Sequence, residues 1–134
     1  MKRVYLAGCY SADNVLDVLR NIGRGEYWAG QLFLAGYAPF CPWHDKDYVI
    51  KNWDAKFTVP MFYEYSMSWL EVSDCIVVLS GYEKSKGTLA EIKFAEEHNI
   101  PVYYSIDKFI KERKNNNNTF EEYLADHQEP KELH

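Results

Sequence analysis

At 134 residues the chain can bury one hydrophobic core but not two, so a single domain over 1–134 and a single site are expected. Hydrophobic residues at 47% and charged residues at 26% are ordinary for a soluble globular protein, whereas aromatics at 16%, with 11 Tyr and 4 Trp, are in excess. They either line a pocket or simply fill a small core. A net charge of −5 offers no broad attraction to a nucleic-acid polymer, and no run approaches the ~20 apolar residues of a membrane span.

The opening run from Met1 to Gly8 turns polar too early for a signal peptide. Cys9, Cys41 and Cys75 form no CxxC pair, and two of them sit in apolar runs where a buried free thiol is the usual reading. A reducing, cytoplasmic location is expected.

In chain order, Val4 to Gly8 reads as a buried strand delivering its C-terminal end into the loop Gly8-Cys9-Tyr10-Ser11. Val15, Val18, Ile22, Ala29, Leu32 and Phe33 then recur near the helical period, with Ser11 or Asp13 as the cap and Gly36 as the stop. Gly23 and Gly25 interrupt that helix at about 1 kcal/mol each, which implies a bend or the close approach of a ligand. Tyr37–Cys41 is a second strand, followed by the polar, aromatic loop Pro42 to Asp47. Phe62, Tyr65, Trp69 and Val72 mark one face of a helix that leads to Asp74 and the apolar strand Cys75–Leu79. After the loop Gly81 to Gly87, a helix from about Thr88 to His98 turns Leu89, Ile92 and Ala95 inward, and Pro101–Ile106 forms the last strand. Asn115–Asn118 reads as a flexible loop, Thr119–His127 as a short amphipathic segment, and 128–134 as a frayed tail. Strands and helices alternate, so the fold is expected to be α/β, a flavodoxin-like or Rossmann-like three-layer sandwich around four or five largely parallel strands.

Ligands of such sheets sit beyond the carboxyl ends of the strands. Of the three loops there, Gly81 to Gly87 is the most informative. Ser85-Lys86-Gly87 opens a helix whose free N–H groups and dipole favour an anion such as phosphate. Glu91, one turn further in, is either a cavity carboxylate kept ionised by that dipole or a solvated surface residue. Trp43 and His44 either stack on and bond a nucleobase or mark where a strand meets solvent. Asp74 has a structural role in the turn before its strand, and Arg20 and Arg24 lie on the helix face near the first loop, facing a phosphate or simply exposed. His44, His98, His127 and His134 lack ligand spacing, and no P-loop or GxGxxG occurs, so neither a metal nor any other cofactor is expected.

Four segments in order, Val4–Gly8, Gly36–Pro42, Ser73–Leu79 and Ser85–Glu91, with a Tyr-x-x-Gly first strand and a Ser-x-Gly-x-x-x-Glu element, resemble the nucleoside 2-deoxyribosyltransferase superfamily. The likeness runs from Met1 to about Ser105 and is closest to the small nucleotide N-glycosidase-like and phage-type members. It implies Glu91 as the nucleophile on the anomeric carbon and Tyr5 as the hydroxyl that positions it. It also implies Ser85, with Lys86, Gly87, Ser11 and the backbone of Gly8, Cys9 and Tyr10, as a 5′-phosphate cradle. Trp43, His44 and Asp45, in the second loop, remain the candidate contacts to the base. The family's acid near the leaving base aligns with Ser66, a departure for which Glu64, Asp45 or Asp47 could substitute.

The expected function is therefore hydrolysis of the N-glycosidic bond of a (deoxy)nucleoside 5′-monophosphate. Its alternatives are base exchange by a 2-deoxyribosyltransferase and a non-catalytic nucleotide-binding module. The segment 126–134 lacks the aromatic-carboxylate end of the transferases, which favours hydrolysis. By the same resemblance the partners are a small nucleoside or nucleotide and further copies of the chain, as a homodimer or larger homo-oligomer.

Overall fold

A computed structural model describes residues 1–116. Four parallel strands form one sheet: β1 (Arg3–Ala7), β2 (Ala38–Phe40), β3 (Cys75–Val78) and β4 (Val102–Tyr103), in the order β2-β1-β3-β4. Val4 pairs with Pro39 on one side and with Cys75 on the other, and Ile76 pairs with Val102. Among the described residues five helices surround the sheet: α1 (Val15–Leu34), α2 (Lys46–Lys51), α3 (Val59–Glu71), α4 (Lys86–Glu97) and α5 (Ile106–Asn116). This is the expected α/β three-layer architecture. Among the described residues no helix is long and apolar enough to cross a membrane.

The pleat of β1 and β3 builds the two hydrophobic layers. Val4, Leu6, Cys75 and Val77 point to one face, where Ile22, Ala29 and Leu32 of α1 and Ile106 and Phe109 of α5 cover them. Tyr5, Ala7, Ile76 and Val78 point to the other, against Leu70 of α3 and Ile92 and Ala95 of α4. A tyrosine thus lies on the same inward-facing row as an alanine and two β-branched residues, with its hydroxyl between α3 and α4.

Several local expectations shift. Asn14, not Ser11 or Asp13, caps α1, accepting from the Asp17 N–H at 2.9 Å. Gly36 does end that helix: at φ 97° it lets the Tyr37 N–H reach the Leu32 carbonyl at 3.1 Å and its own N–H reach Phe33 at 3.0 Å. The helix runs unbroken through Gly23 and Gly25. At Gly25 the close neighbour is the Trp43 indole, 2.3 Å from where a Cβ would stand, and nothing within 4 Å explains Gly23. The segment after Pro42 is not a loop but a 3-10 turn, Pro42–Asp45, running straight into α2.

The inward faces are also rotated from those expected. Val15 is 70% exposed and Phe33 49%, because both lie at the margin of the α1 stripe. On α3 the buried residues are Ser66 and Leu70, while Trp69 and Val72 stay half exposed; on α4 Thr88 is buried and Leu89 is not. Asp74 works further afield than its own turn. Its carboxylate accepts from the Arg3 N–H at 2.7 Å, its N–H donates to the Arg3 carbonyl at 2.9 Å, and β1 and β3 are held in register there. Asn115 and Asn116 close α5 rather than opening a loop. Asn117, Asn118, the expected segment Thr119–His127 and the tail 128–134 lie outside the described residues.

Candidate active site

A cavity of about 740 Å³ opens beyond the carboxyl ends of the central strands, between α2, α3 and α4. The strand order reverses between β1 and β3, and the cavity stands at that switch point, where two adjacent loops diverge and leave a crevice. Tyr5, Gly8, Tyr10, Ser11, Trp43, Asp45, Ser66, Ser85, Lys86, Gly87 and Glu91 all line it. Residues from five separate segments are thereby brought into one space.

The deepest part is built by Tyr5, Ser66 and Glu91. Tyr5 is fully buried, its ring stacked on Phe40 with centroids 5.3 Å apart, and among the described residues its hydroxyl has no hydrogen-bond partner. Burial and the nearby Glu91 carboxylate hold its pKa well above the ordinary phenol value, against a smaller opposing effect of Ser66. It therefore stays protonated and offers a donor into the cavity. Burial likewise pushes the Glu91 carboxyl up from 4.5 to about 7, with Tyr5 pulling weakly the other way. The helix dipole expected to hold Glu91 ionised is outweighed by desolvation, since the carboxylate sits two turns inside α4 and the dipole's effect is confined to the first.

The mouth of the cavity at α4 has the chemistry of an anion site. Ser85 caps the helix from extended backbone, and its Oγ accepts both the Thr88 N–H at 3.1 Å and the Thr88 hydroxyl at 2.9 Å. With both lone pairs engaged, the Ser85 O–H is left to donate outward. The first N–H groups of the helix, those of Lys86 and Gly87, have no acceptor within it. Gly87 has no positive φ and serves no tight turn. A side chain there would meet the Tyr63 ring at 3.4 Å, so glycine leaves the backbone open to the cavity.

Not every expected residue faces this space. Cys9 lies behind the wall: its thiol donates to the Gly81 carbonyl at 3.1 Å, and its own carbonyl accepts the Trp43 indole N–H at 3.0 Å. Trp43 is 1% exposed, wedged over Gly25, so it supports the cavity rather than offering a ring face to stack on. His44 points away, because successive residues of a 3-10 turn diverge by a third of a revolution. Its Nε2 lies 3.2 Å from the Glu26 carboxylate beside a second, smaller pocket. Arg24 donates to the Ser80 carbonyl at 2.9 Å and hydroxyl at 2.7 Å, and Arg20 pairs with Asp17 at 2.8 Å, so neither lines the cavity. Among the described residues no cluster of His, Cys, Asp or Glu could hold a metal ion.

Sequence reasoning missed Lys46, Lys84 and Thr88, and an apolar wall made by Val49, Ile50, Val59, Phe62, Tyr63 and Met67. The apolar run Tyr48-Val49-Ile50 inside an otherwise polar stretch was the available signal for α2. Lys46 is already paired, its Nζ 3.1 Å from Glu26.

Residues 44–104 match a family described as a domain of unknown function, DUF4406. No curated protein matches the chain. The segment similar to that family carries α2, α3 and α4, and with them Asp45, Ser66, Ser85 and Glu91, while Tyr5 and the loop Gly8 to Ser11 lie outside it.

Proposed function

We propose that this protein hydrolyses the N-glycosidic bond of a (deoxy)nucleoside 5′-monophosphate, with Glu91 as the nucleophile. The observation that carries the reading is the meeting of Tyr5 and Glu91 in the cavity that also receives the start of α4. Glu91 stands six positions after the cap Ser85, about 9 Å along the axis at 1.5 Å per residue, on the scale of a sugar phosphate. A 5′-phosphate held by the Ser85 hydroxyl and the Lys86 and Gly87 N–H groups would place the sugar over Glu91. The ionised carboxylate, poorly solvated, attacks the anomeric carbon, and the covalent glycosyl ester divides one difficult displacement into two. The unpartnered Tyr5 hydroxyl is placed to orient that carboxylate.

Three free thiols, two of them buried, suit a reducing compartment, and the cytoplasm is the proposed location. Exposed apolar side chains beside the cavity, among them Ile50, Val59 and Met61, suit a homo-oligomer. A second reading, a module that binds nucleotide and leaves it intact, rests on Ser66 standing where the resemblance expects an acid.

Chromatography of free base released from ribo- and deoxynucleosides and their 5′-monophosphates, by wild type beside Glu91→Gln, tests the proposal. Release from monophosphates by wild type alone is expected. Release that requires an added acceptor base would show exchange instead, and no release from any substrate would leave the binding module.

A further inference from the structure

A base that leaves a sugar carries away the electron pair of the broken C–N bond, and a group that protonates it lowers the barrier. Ser66 cannot supply that proton at neutral pH. Of the carboxylates that could replace it, Glu64 is exposed on α3 outside the cavity, Asp47 does not line it either, and Asp45 does.

Asp45 does not cap the helix it opens. It stands at the start of α2, where an aspartate ordinarily caps the helix from extended backbone. Its own backbone is helical at φ −63° and ψ −24°, and its carboxylate makes no capping hydrogen bond. It joins no ion pair among the described residues. The carboxyl instead meets the Tyr10 hydroxyl, which lines the same cavity from the first loop, and burial raises its pKa against the opposing effects of Tyr10 and Lys46. Tyr5 lies within electrostatic reach of both Glu91 and Asp45, so the two carboxyl groups belong to one space and reach it from different elements.

Deepening the glycosidase reading on which it rests, we propose that Asp45, oriented by Tyr10, is the acid that protonates the departing base. In the first step a Glu91 oxygen forms a bond to the anomeric carbon, and the C–N bond breaks with its electron pair passing to the base. The Asp45 proton goes to a ring nitrogen or carbonyl oxygen of that base. In the second, water attacks the anomeric carbon, Glu91 leaves as carboxylate, and the proton lost by water returns to Asp45. The sum is nucleotide plus water giving base plus sugar phosphate.

The test compares wild type, Asp45→Asn and Glu91→Gln on two substrates: a nucleoside 5′-monophosphate, and a sugar 5-phosphate bearing a nitrophenolate at the anomeric carbon, which leaves without protonation. In the first turnover, before water enters, Asp45→Asn is expected to slow base release about 10²–10⁴-fold while the burst of nitrophenolate stays within about threefold of wild type. Glu91→Gln should lose both. Asp45→Ser, which removes the same proton with a smaller side chain, must reproduce the split, and matching thermal melts show that the variants are folded. Equal slowing of both substrates, or of neither, overturns the role of Asp45 while leaving that of Glu91 intact. Failure of wild type to release either leaving group overturns the glycosidase reading and this assignment with it.

Discussion

Glu91 binds its proton more tightly in the fold than in the unfolded chain, because the cavity replaces the water that would solvate its charge. A carboxyl raised from 4.5 to about 7 contributes stability that is fully present below pH 4.5 and is lost as the pH climbs through about 7. The difference is at most about 3 kcal/mol, and less to the extent that water enters the cavity. Glu91→Gln keeps the shape and removes the titration. Thermal melts should show the variant more stable than wild type at pH 8 and close to it at pH 4, whereas an equal shift at both would place Glu91 in solvent. That Tyr5 and Glu91 line one cavity was legible through the resemblance, whereas spacing alone left Glu91 either in a cavity or in solvent. The direction of the Glu91 shift was not, since burial depends on α2 and α3 closing over it and no local pattern reports that.

The elements owe their positions to a few close approaches. α1 crosses the Pro42–Asp45 turn where Gly25 lets the Trp43 indole come into contact, and the same indole donates to the Cys9 carbonyl behind the first loop. Gly25→Ala improves helix propensity by about 1 kcal/mol yet sets a Cβ 2.3 Å from a ring carbon. Overpacking should win, with a net loss of about 1–3 kcal/mol read as a lower urea midpoint; an unchanged midpoint would mean that Trp43 moves freely. The sequence showed a glycine where a helix former was due and suggested a bend or the approach of a ligand, but the helix runs straight through and an indole 18 residues away was the visitor. The helices existed where periodicity put them, yet their inward faces turned. Thr88 displaced Leu89 because its hydroxyl bonds Ser85, and Ser66 displaced Trp69 because it lies on the row of Leu70, which packs on the sheet, at the point where that row meets the cavity.

At the scale of the molecule, alternating strands and helices led directly to a parallel sheet with its crevice at the β1/β3 reversal. What stayed hidden was α2, whose short apolar run supplies one wall, and with it the singling out of Asp45 among three candidate acids. If the cavity receives a nucleotide, ligand linkage must show it in the whole fold. A nucleoside 5′-monophosphate at a hundredfold excess over its Kd should add about 2.7 kcal/mol, seen as a rise in Tm, with the unphosphorylated nucleoside giving a smaller one. No rise with any nucleotide at millimolar concentration would count against both the glycosidase and the binding module.

The sheet ends on one side in β2, three residues with Pro39 at their centre, and on the other in β4, only two residues long. Proline has no N–H to donate, and two residues present almost no ladder, so neither margin offers the run of unpaired backbone groups on which a foreign strand could grow. The fold is thereby guarded against fibre formation by its borders, and its two buried central strands, β1 and β3, can remain strongly apolar without becoming a template for other copies in a crowded cell.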